Sequence, residues 1–257
     1  MVQANRVNNM GKIIAVASGK GGTGKTTSVA ALSSCLATLG YRTLAVDFDA
    51  GLKSLDFALC MTDYAISDYM DVLKGIYSLE NAIHEHQKIP NLFFLAAPNT
   101  SMFDTAPVEL DALHEMYDRI RNSFDYCLID APAGIGEGFR LAHNGADMSV
   151  LVTNGELPAM RNAQRAAGII RSMGVEEVRL LVNRVSPSDY KKLHSTIDDV
   201  IDAVGARLIG MIREDKSIML ALHDNIPLIL YKKRLAAYDF LDAARRIRGE
   251  DIPIRKI

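Results

Sequence analysis

The residues with the clearest chemical potential lie near the N-terminus, in the run Gly19-Lys20-Gly21-Gly22-Thr23-Gly24-Lys25-Thr26. Its spacing matches the phosphate-loop pattern GxxxxGK[ST]. The apolar run Ile13–Ala17 precedes it and a helical pattern, Thr26–Leu39, follows it. Glycines let successive N–H groups face an anion, and the positive end of the helix adds to the attraction. The sequence therefore predicts a phosphate site, with a ligand-free glycine turn as the alternative.

The side chains in and near this loop suggest how a nucleoside triphosphate would be held. Lys25 is expected to bridge the β- and γ-phosphates, and the Thr26 hydroxyl to reach Mg²⁺. Asp130 ends the apolar run Tyr126–Ile129 and is the natural carboxylate for that ion, usually through water. Lys20 is a second cation in the same loop. A solvated surface lysine is the ordinary interpretation, but its position beside Lys25 calls for a reason.

The elements that must position these residues can be read from short, continuous apolar runs. Such runs are typical of parallel strands covered by helices on both faces. The predicted strands are Ile13–Ala17, Thr43–Val46, Leu92–Leu95, Tyr126–Ile129, Ser149–Val152, Arg179–Val182 and Leu208–Ile212. Further helices are predicted at Pro107–Asn122, Pro158–Met173, Asp189–Val204, Ser217–Asn225 and Leu235–Arg248. We expect one doubly wound α/β domain whose ligand lies at the carboxyl ends of the strands.

Composition excludes several classes of protein. The 257 residues carry a formal charge of -2 and are 49% hydrophobic, which is ordinary globular composition and predicts no specific nucleic-acid partner. No apolar run is long enough to span a membrane and no signal peptide is visible, so a cytoplasmic location is expected. The three cysteines form no CxxC pair and are interpreted as buried thiols.

Three features of the sequence resemble the MinD/ParA family of deviant Walker A ATPases. They are Lys20 within the loop, the stretch Asp47-Phe48-Asp49-Ala50-Gly51-Leu52-Lys53-Ser54-Leu55-Asp56, and the stretch Asp130-Ala131-Pro132-Ala133-Gly134-Ile135. The resemblance covers residues 10–251. It implies a P-loop NTPase fold of the SIMIBI type, with ATP and Mg²⁺ as cofactors. It also implies an ATP-dependent homodimer in which Lys20 of each subunit reaches the phosphates bound to the other.

The same resemblance implies roles for further residues. Lys20, Lys25 and Asp49 would be catalytic, with Asp49 orienting the attacking water. Asp47 would support the Mg²⁺ from behind its direct ligands, and the segments that follow Asp47 and Asp130 would be nucleotide-sensing switches. The nucleotide-binding residues would be Gly19, Lys20, Gly21, Gly22, Thr23, Gly24, Lys25, Thr26 and Thr27, with Asn183, Arg184 and Arg213 near the base. Relatives often have proline at the position of Arg213, which could stack on adenine here.

By this resemblance, the function would be that of a slow, switch-like ATPase that a protein partner of unknown identity activates. The stretch Gly51–Asp56 favours the division-site and flagellar-number branches over the DNA-partition and metal-insertion branches, and we prefer the division-site branch. A nucleotide-binding regulatory scaffold with little turnover is the alternative.

The two ends of the chain are expected to differ from the family pattern. Residues 1–9 are interpreted as a disordered extension or a start-site artefact. The tail 252–257 is too short for the basic amphipathic membrane helix of the division-site branch and contains Pro253. A frayed terminus is favoured over weak interfacial adhesion. Membrane contact is therefore expected to be weak, or indirect through a partner at the inner face of the cell membrane.

Overall fold

The fold is built around one eight-stranded sheet. The computed structural model describes residues 10–50, 53–62, 67–98, 108–188, 196–232 and 235–255. The strands are β1 Lys12–Ala17, β2 Thr43–Asp47, β3 His84–Glu85, β4 Leu92–Leu95, β5 Tyr126–Asp130, β6 Met148–Thr153, β7 Val178–Val185 and β8 Arg207–Arg213. Their spatial order is β3-β4-β2-β5-β1-β6-β7-β8. Among these eight described strands, β3 alone runs antiparallel to its neighbour, so the sheet is mostly parallel.

All seven predicted strands are confirmed, because each predicted run lies inside one observed strand. The continuous apolar pattern has the expected cause: β1 is sandwiched between helices, and Ile13–Ala17 is fully buried. Strand β3 was not predicted. It has two residues and pairs only with Phe93 and Phe94 of β4.

Helices cover both faces of the sheet. They are α1 Lys25–Thr38, α2 Leu55–Ala58, α3 Tyr69–Leu73, α4 Leu79–Ala82, α5 Leu110–Ser123, α6 Glu137–His143, α7 Leu157–Ser172, α8 Ile197–Val204, α9 Lys216–His223 and α10 Leu235–Ile247. Apart from the one at Asp189–Val204, the predicted helices are confirmed with ends shifted by a few residues, although the predicted start at Pro107 lies outside the described residues. The helix predicted at Asp189–Val204 is confirmed only from Ile197, because Thr196 is extended and caps the start of α8; residues 189–195 lie outside the described residues. The short helices α2, α3, α4 and α6 were not predicted.

Two apolar layers hold the helices to the sheet. On one face, α1 and α10 pack together through side chains such as Leu32 and Phe240, which are fully buried. On the other, α5, α7 and α8 contribute residues such as Ile120 and Ile170. Burying a side chain of this size stabilises the fold by about 1.5 to 3 kcal/mol. The doubly wound α/β architecture is therefore confirmed.

The register of the central strands sets the position of the site. Asp130 of β5 pairs with both Val16 of β1 and Asp47 of β2. Because these strands are parallel, their carboxyl ends reach the same level of one sheet edge. The phosphate loop leaves β1 at this edge, so the two carboxylates lie beside it.

The C-terminal tail is held along α10 as far as Arg255. The Arg246 guanidinium donates to the carbonyl oxygens of Ile252 and Pro253 at 3.1 and 2.6 Å, and Arg255 donates to Asp242 at 2.7 Å. The expectation of a frayed terminus is wrong for these residues, because two arginines anchor them. Residues 1–9 and 256–257 lie outside the described part. Among the described helices, none combines the length and apolarity that crossing a bilayer requires.

Candidate functional site

The phosphate loop lies between β1 and α1, where the sequence placed it. Gly24 is the N-cap of α1 and has φ +89°, a left-handed conformation that favours glycine. A Cβ at Gly24 would lie 2.1 Å from the Asn183 amide nitrogen, and one at Gly19 would lie 2.3 Å from the backbone of Asn162. Two glycines of the motif are therefore required by close approach to β7 and α7.

Beneath the loop, Lys25 and Asp130 form a buried ion pair. Lys25 Nζ lies 2.5 Å from Asp130 Oδ1, with side-chain exposures of 8% and 0%. Burial raises the pKa of Asp130 above its ordinary value, and the positive charge of Lys25 partly offsets that rise. The second oxygen, Oδ2, is buried and has no hydrogen-bond partner among the described residues. The pair thus presents a cation ready for phosphate and an acceptor ready for another ligand.

Asp47 organises the segment that follows β2. Its Oδ1 accepts from the Asp49 backbone N–H at 2.8 Å and its Oδ2 from the Leu55 N–H at 3.2 Å. Burial, and then the neighbouring charge of Asp130, raise the pKa of Asp47 to about 7. Both oxygens already accept hydrogen bonds from backbone N–H groups, which agrees with a residue that supports the metal ligands rather than one that binds the metal directly. Asp49 is buried beside it, 8% exposed.

The oxygens around Asp130 fit Mg²⁺. Thr26 Oγ1 lies 3.4 Å from the Ser54 hydroxyl on the segment that Asp47 organises. Within the described ranges, no group of three or more His, Cys, Asp or Glu side chains could hold a metal by itself. That suits Mg²⁺, which binds through one or two protein oxygens, waters and substrate phosphates. The orphaned Oδ2 of Asp130 and the Thr26 hydroxyl are oxygens of the required kind.

Asn183 borders the loop at the end of β7. Its Nδ2 donates to the Thr23 carbonyl at 2.8 Å, while no hydrogen bond to its buried Oδ1 is found within the part of the chain that the structure describes. An unpaired amide oxygen can accept a hydrogen bond from the amino group of a base. Next to it, Arg184 is exposed and has φ +55°. Thr27 of α1 lines a pocket between α1 and α9 with Ile218 and Leu222.

Arg213 ends β8, where Asp239 of α10 holds its guanidinium; its stacking on a base stays a prediction. Its guanidinium donates twice to Asp239, at 2.7 and 2.9 Å, and Asp239 has a fully buried side chain. Its backbone N–H donates to the same carboxylate at 3.2 Å. The described contacts of Arg213 therefore tie β8 to α10.

Lys20 is an exposed residue of the loop and forms an ion pair with Glu156 of the same chain. Its Nζ lies 2.7 Å from Glu156 Oε2, directly before α7. The hydrogen bond from Lys20 lowers the pKa of the Glu156 carboxyl. Sequence reasoning missed Glu156, because 136 positions separate the two residues and no local pattern joins them.

Comparison with known proteins agrees with this geometry. A sequence profile of the CobQ/CobB/MinD/ParA nucleotide binding domain matches residues 14–228. The septum site-determining protein MinD of Bacillus subtilis is 34% identical over 248 residues, which are 96% of this chain and 92% of that protein.

Two solved structures share the fold. A chain of the MinC:MinD cell division protein complex of Aquifex aeolicus superposes with a TM-score of 0.88 at 32% identity, covering 95% of this chain and 98% of that chain. The septum site-determining protein MinD of Pyrococcus horikoshii, complexed with Mg-ADP, superposes with a TM-score of 0.81 at 28% identity. The match covers 93% of this chain and 96% of that chain. This chain therefore belongs to the MinD/ParA family of nucleotide-binding proteins, as a MinD-like member.

Proposed function

We propose that this chain is a Mg-ATP-dependent switch ATPase of one domain, residues 10–251, that dimerises with ATP and acts in positioning the division septum. Members of its family are ATPases. The observation that carries the proposal is the buried Lys25–Asp130 pair beneath the phosphate loop, with one Asp130 oxygen unpartnered. Burying a lysine beside a carboxylate that has one unpaired oxygen lowers the stability of the fold unless a ligand of high negative charge binds there.

ATP binding would exchange partners within that pair. The N–H groups of the loop and the N-terminus of α1 would hold the phosphates. Lys25 would turn from Asp130 to the β- and γ-phosphates, which carry more negative charge than one carboxylate. Thr26 and Asp130 would then hold the Mg²⁺. The ion would neutralise developing charge on the phosphates.

Asp49 would orient the attacking water. It lies on the segment whose backbone Asp47 fixes at Asp49 and Leu55. A carboxylate held in place in this way can keep a water in line with the γ-phosphate. Asn183 Oδ1 would accept from the base, with Arg184 and Thr27 beside the nucleotide.

Lys20 would serve the neighbouring subunit. Its side chain is about half exposed and lies at the outer edge of the loop, away from the buried phosphate cation Lys25. A long, exposed cation can reach an anion across an interface that excludes water, where its charge is worth more. ADP would offer it a weaker target, so γ-phosphate occupancy would control assembly.

A role at the division septum is proposed from the relatives named above, among which an Aquifex MinD is assembled with MinC. We propose that a protein partner of that kind binds the ATP dimer, stimulates slow hydrolysis and brings the dimer to the inner face of the membrane. The dimer, rather than any one subunit, would be the form that the partner recognises.

The site is tested by Lys25→Ala, which should abolish ATP binding in calorimetry; unchanged affinity would refute it. Assembly is tested by light scattering of wild type with a non-hydrolysable ATP analogue. Lys20→Ala should keep nucleotide binding and lose the dimer. Asp49→Ala should keep the dimer and slow hydrolysis. A wild-type protein that binds ATP and dimerises without measurable turnover, even with its partner, would instead support the scaffold function.

A further inference from the structure

The Lys20–Glu156 ion pair occupies the cation that the proposed dimer needs. Lys20 Nζ and Glu156 Oε2 are 2.7 Å apart, and both side chains are about half exposed. One ammonium cannot hold its own carboxylate and an anion across the interface with full strength at the same time. The pair must open when Lys20 moves to the other subunit.

The described contacts of the Glu156 side chain are the ion pair with Lys20 and a hydrogen bond with Asn154, two positions before it. Glu156 stands at the N-cap of α7, but its side chain makes no capping hydrogen bond to the helix. Residues 156–158 are all exposed, next to the exposed Lys20 and Gly21. This places the carboxylate on the surface that would face a second copy.

Release of Lys20 does not leave Glu156 without a neighbouring cation. The positive charge of Arg184 also lowers the pKa of the Glu156 carboxyl. Arg184 follows Asn183 at the end of β7, so it lies on the same edge of the sheet. The remaining cation makes the opening of the Lys20–Glu156 pair less costly, which suits a contact that must break reversibly.

We propose that Glu156 is a positioning residue that holds Lys20 within its own subunit and so competes with the nucleotide of a second copy for this cation. This inference rests on the proposed ATP-dependent dimer and names a residue that sets the protein concentration at which the dimer forms. Two such pairs must open for each dimer. With the usual strength of an exposed ion pair, their loss should tighten the dimer by about 2- to 30-fold.

The test compares wild type with Glu156→Gln by sedimentation velocity in a non-hydrolysable ATP analogue with Mg²⁺. The variant should dimerise at a lower protein concentration, and its advantage should shrink at high salt, which screens the exposed pair. In turnover assays, half-maximal activity should occur at lower protein concentration with an unchanged plateau. A general effect on folding would not lower the half-maximal protein concentration while leaving the plateau activity unchanged.

Glu109→Gln is the matched control. Glu109 is exposed at the N-cap of α5 with a similar extended backbone and, like Glu156, makes no side-chain capping hydrogen bond. It should dimerise like wild type. A Glu156→Gln dimer that is no tighter than wild type, or a gain shared by Glu109→Gln, overturns the inference while the proposed function stands. A wild-type protein that binds ATP but never dimerises refutes the dimer itself.

Discussion

The side-chain amide of Asn183 donates a 2.8 Å hydrogen bond to the carbonyl of Thr23, joining the end of β7 to the phosphate loop across 160 positions of sequence. The same amide nitrogen fills the space that a Cβ at Gly24 would occupy. Asn183 thus shapes the loop in addition to offering Oδ1 to a base. Its role is structural before any nucleotide arrives.

Asn183→Asp should destabilise the protein, because it replaces the amide donor with an oxygen that faces a carbonyl. We expect the free energy of unfolding to fall by about 1 to 3 kcal/mol in urea titrations, and ATP affinity to fall with it. Asn122→Asp, on the exposed side of α5, is the control. Equal stability of the two variants would contradict the assignment.

Gly24→Ala should abolish ATP binding, because the added methyl would collide with Asn183 and a residue with a side chain disfavours φ +89°. Gly21→Ala is the comparison for stability, since a Cβ there meets nothing within 4 Å. Calorimetry and thermal unfolding of the two variants measure the difference. Normal ATP affinity in Gly24→Ala would show that the loop is not held as described.

Lys25→Met should destabilise the nucleotide-free protein as well as remove ATP binding. It leaves the Asp130 carboxylate buried without its counter-charge, a change that typically costs about 3 to 5 kcal/mol. Adding Asp130→Asn should restore much of the loss. Because the pKa of Asp130 is raised by burial, the cost should also shrink as pH falls and the carboxyl takes up a proton. Urea titrations of wild type, Lys25→Met, Asp130→Asn and the double variant at neutral and acidic pH provide the test, and strictly additive effects would argue against the pair.

Arg213→Met should lower stability while the Kd for ATP stays near the wild-type value. The substitution removes the two hydrogen bonds from the guanidinium to Asp239. The hydrogen bond from the backbone N–H of residue 213 to the same carboxylate remains. We expect a loss of about 2 to 3 kcal/mol. A large loss of ATP affinity with unchanged stability would support the stacking interpretation.

His143 should make the fold sensitive to acid. It is fully buried, its Nδ1 lies 2.7 Å from the Phe139 carbonyl oxygen and its Nε2 lies 3.1 Å from the Ser149 hydroxyl. Burial lowers its pKa from 6.5 to about 4. Between these values the unfolded chain binds a proton that the folded chain does not, so stability falls as pH falls. Above that window the contribution is complete.

The expected loss from this histidine is about 3 kcal/mol across the window. Urea titrations from neutral to acidic pH should show a shallower decline for His143→Gln than for wild type. His114→Gln, at an exposed histidine of α5, should keep the wild-type slope. Parallel curves for all three proteins would mean that His143 does not titrate as described.

The central strands and long helices were predictable because each carries its own periodic pattern. Ile13–Ala17 and Tyr126–Ile129 are apolar without interruption, which only a doubly covered strand requires. The loop was predictable from glycine spacing. The two-residue strand β3 is too short for periodicity and exists through its pairing with Phe93 and Phe94.

Side-chain pairing was much harder to predict than the elements that carry it. Nothing local to Arg213 indicates that Asp239 binds it, and nothing local to Lys20 points to Glu156. Both contacts depend on how separate elements meet at the sheet edge. The conformation of Gly24 was foreseeable from the motif, but the neighbour that excludes a side chain there was not.

The Asp47 carboxylate accepts hydrogen bonds from the backbone both where the chain leaves β2 and where α2 begins. One side chain therefore fixes both ends of the connection between them. A single substitution of Asp47 would therefore release the chain at both points at once, at the N–H of Asp49 and at the N–H of Leu55.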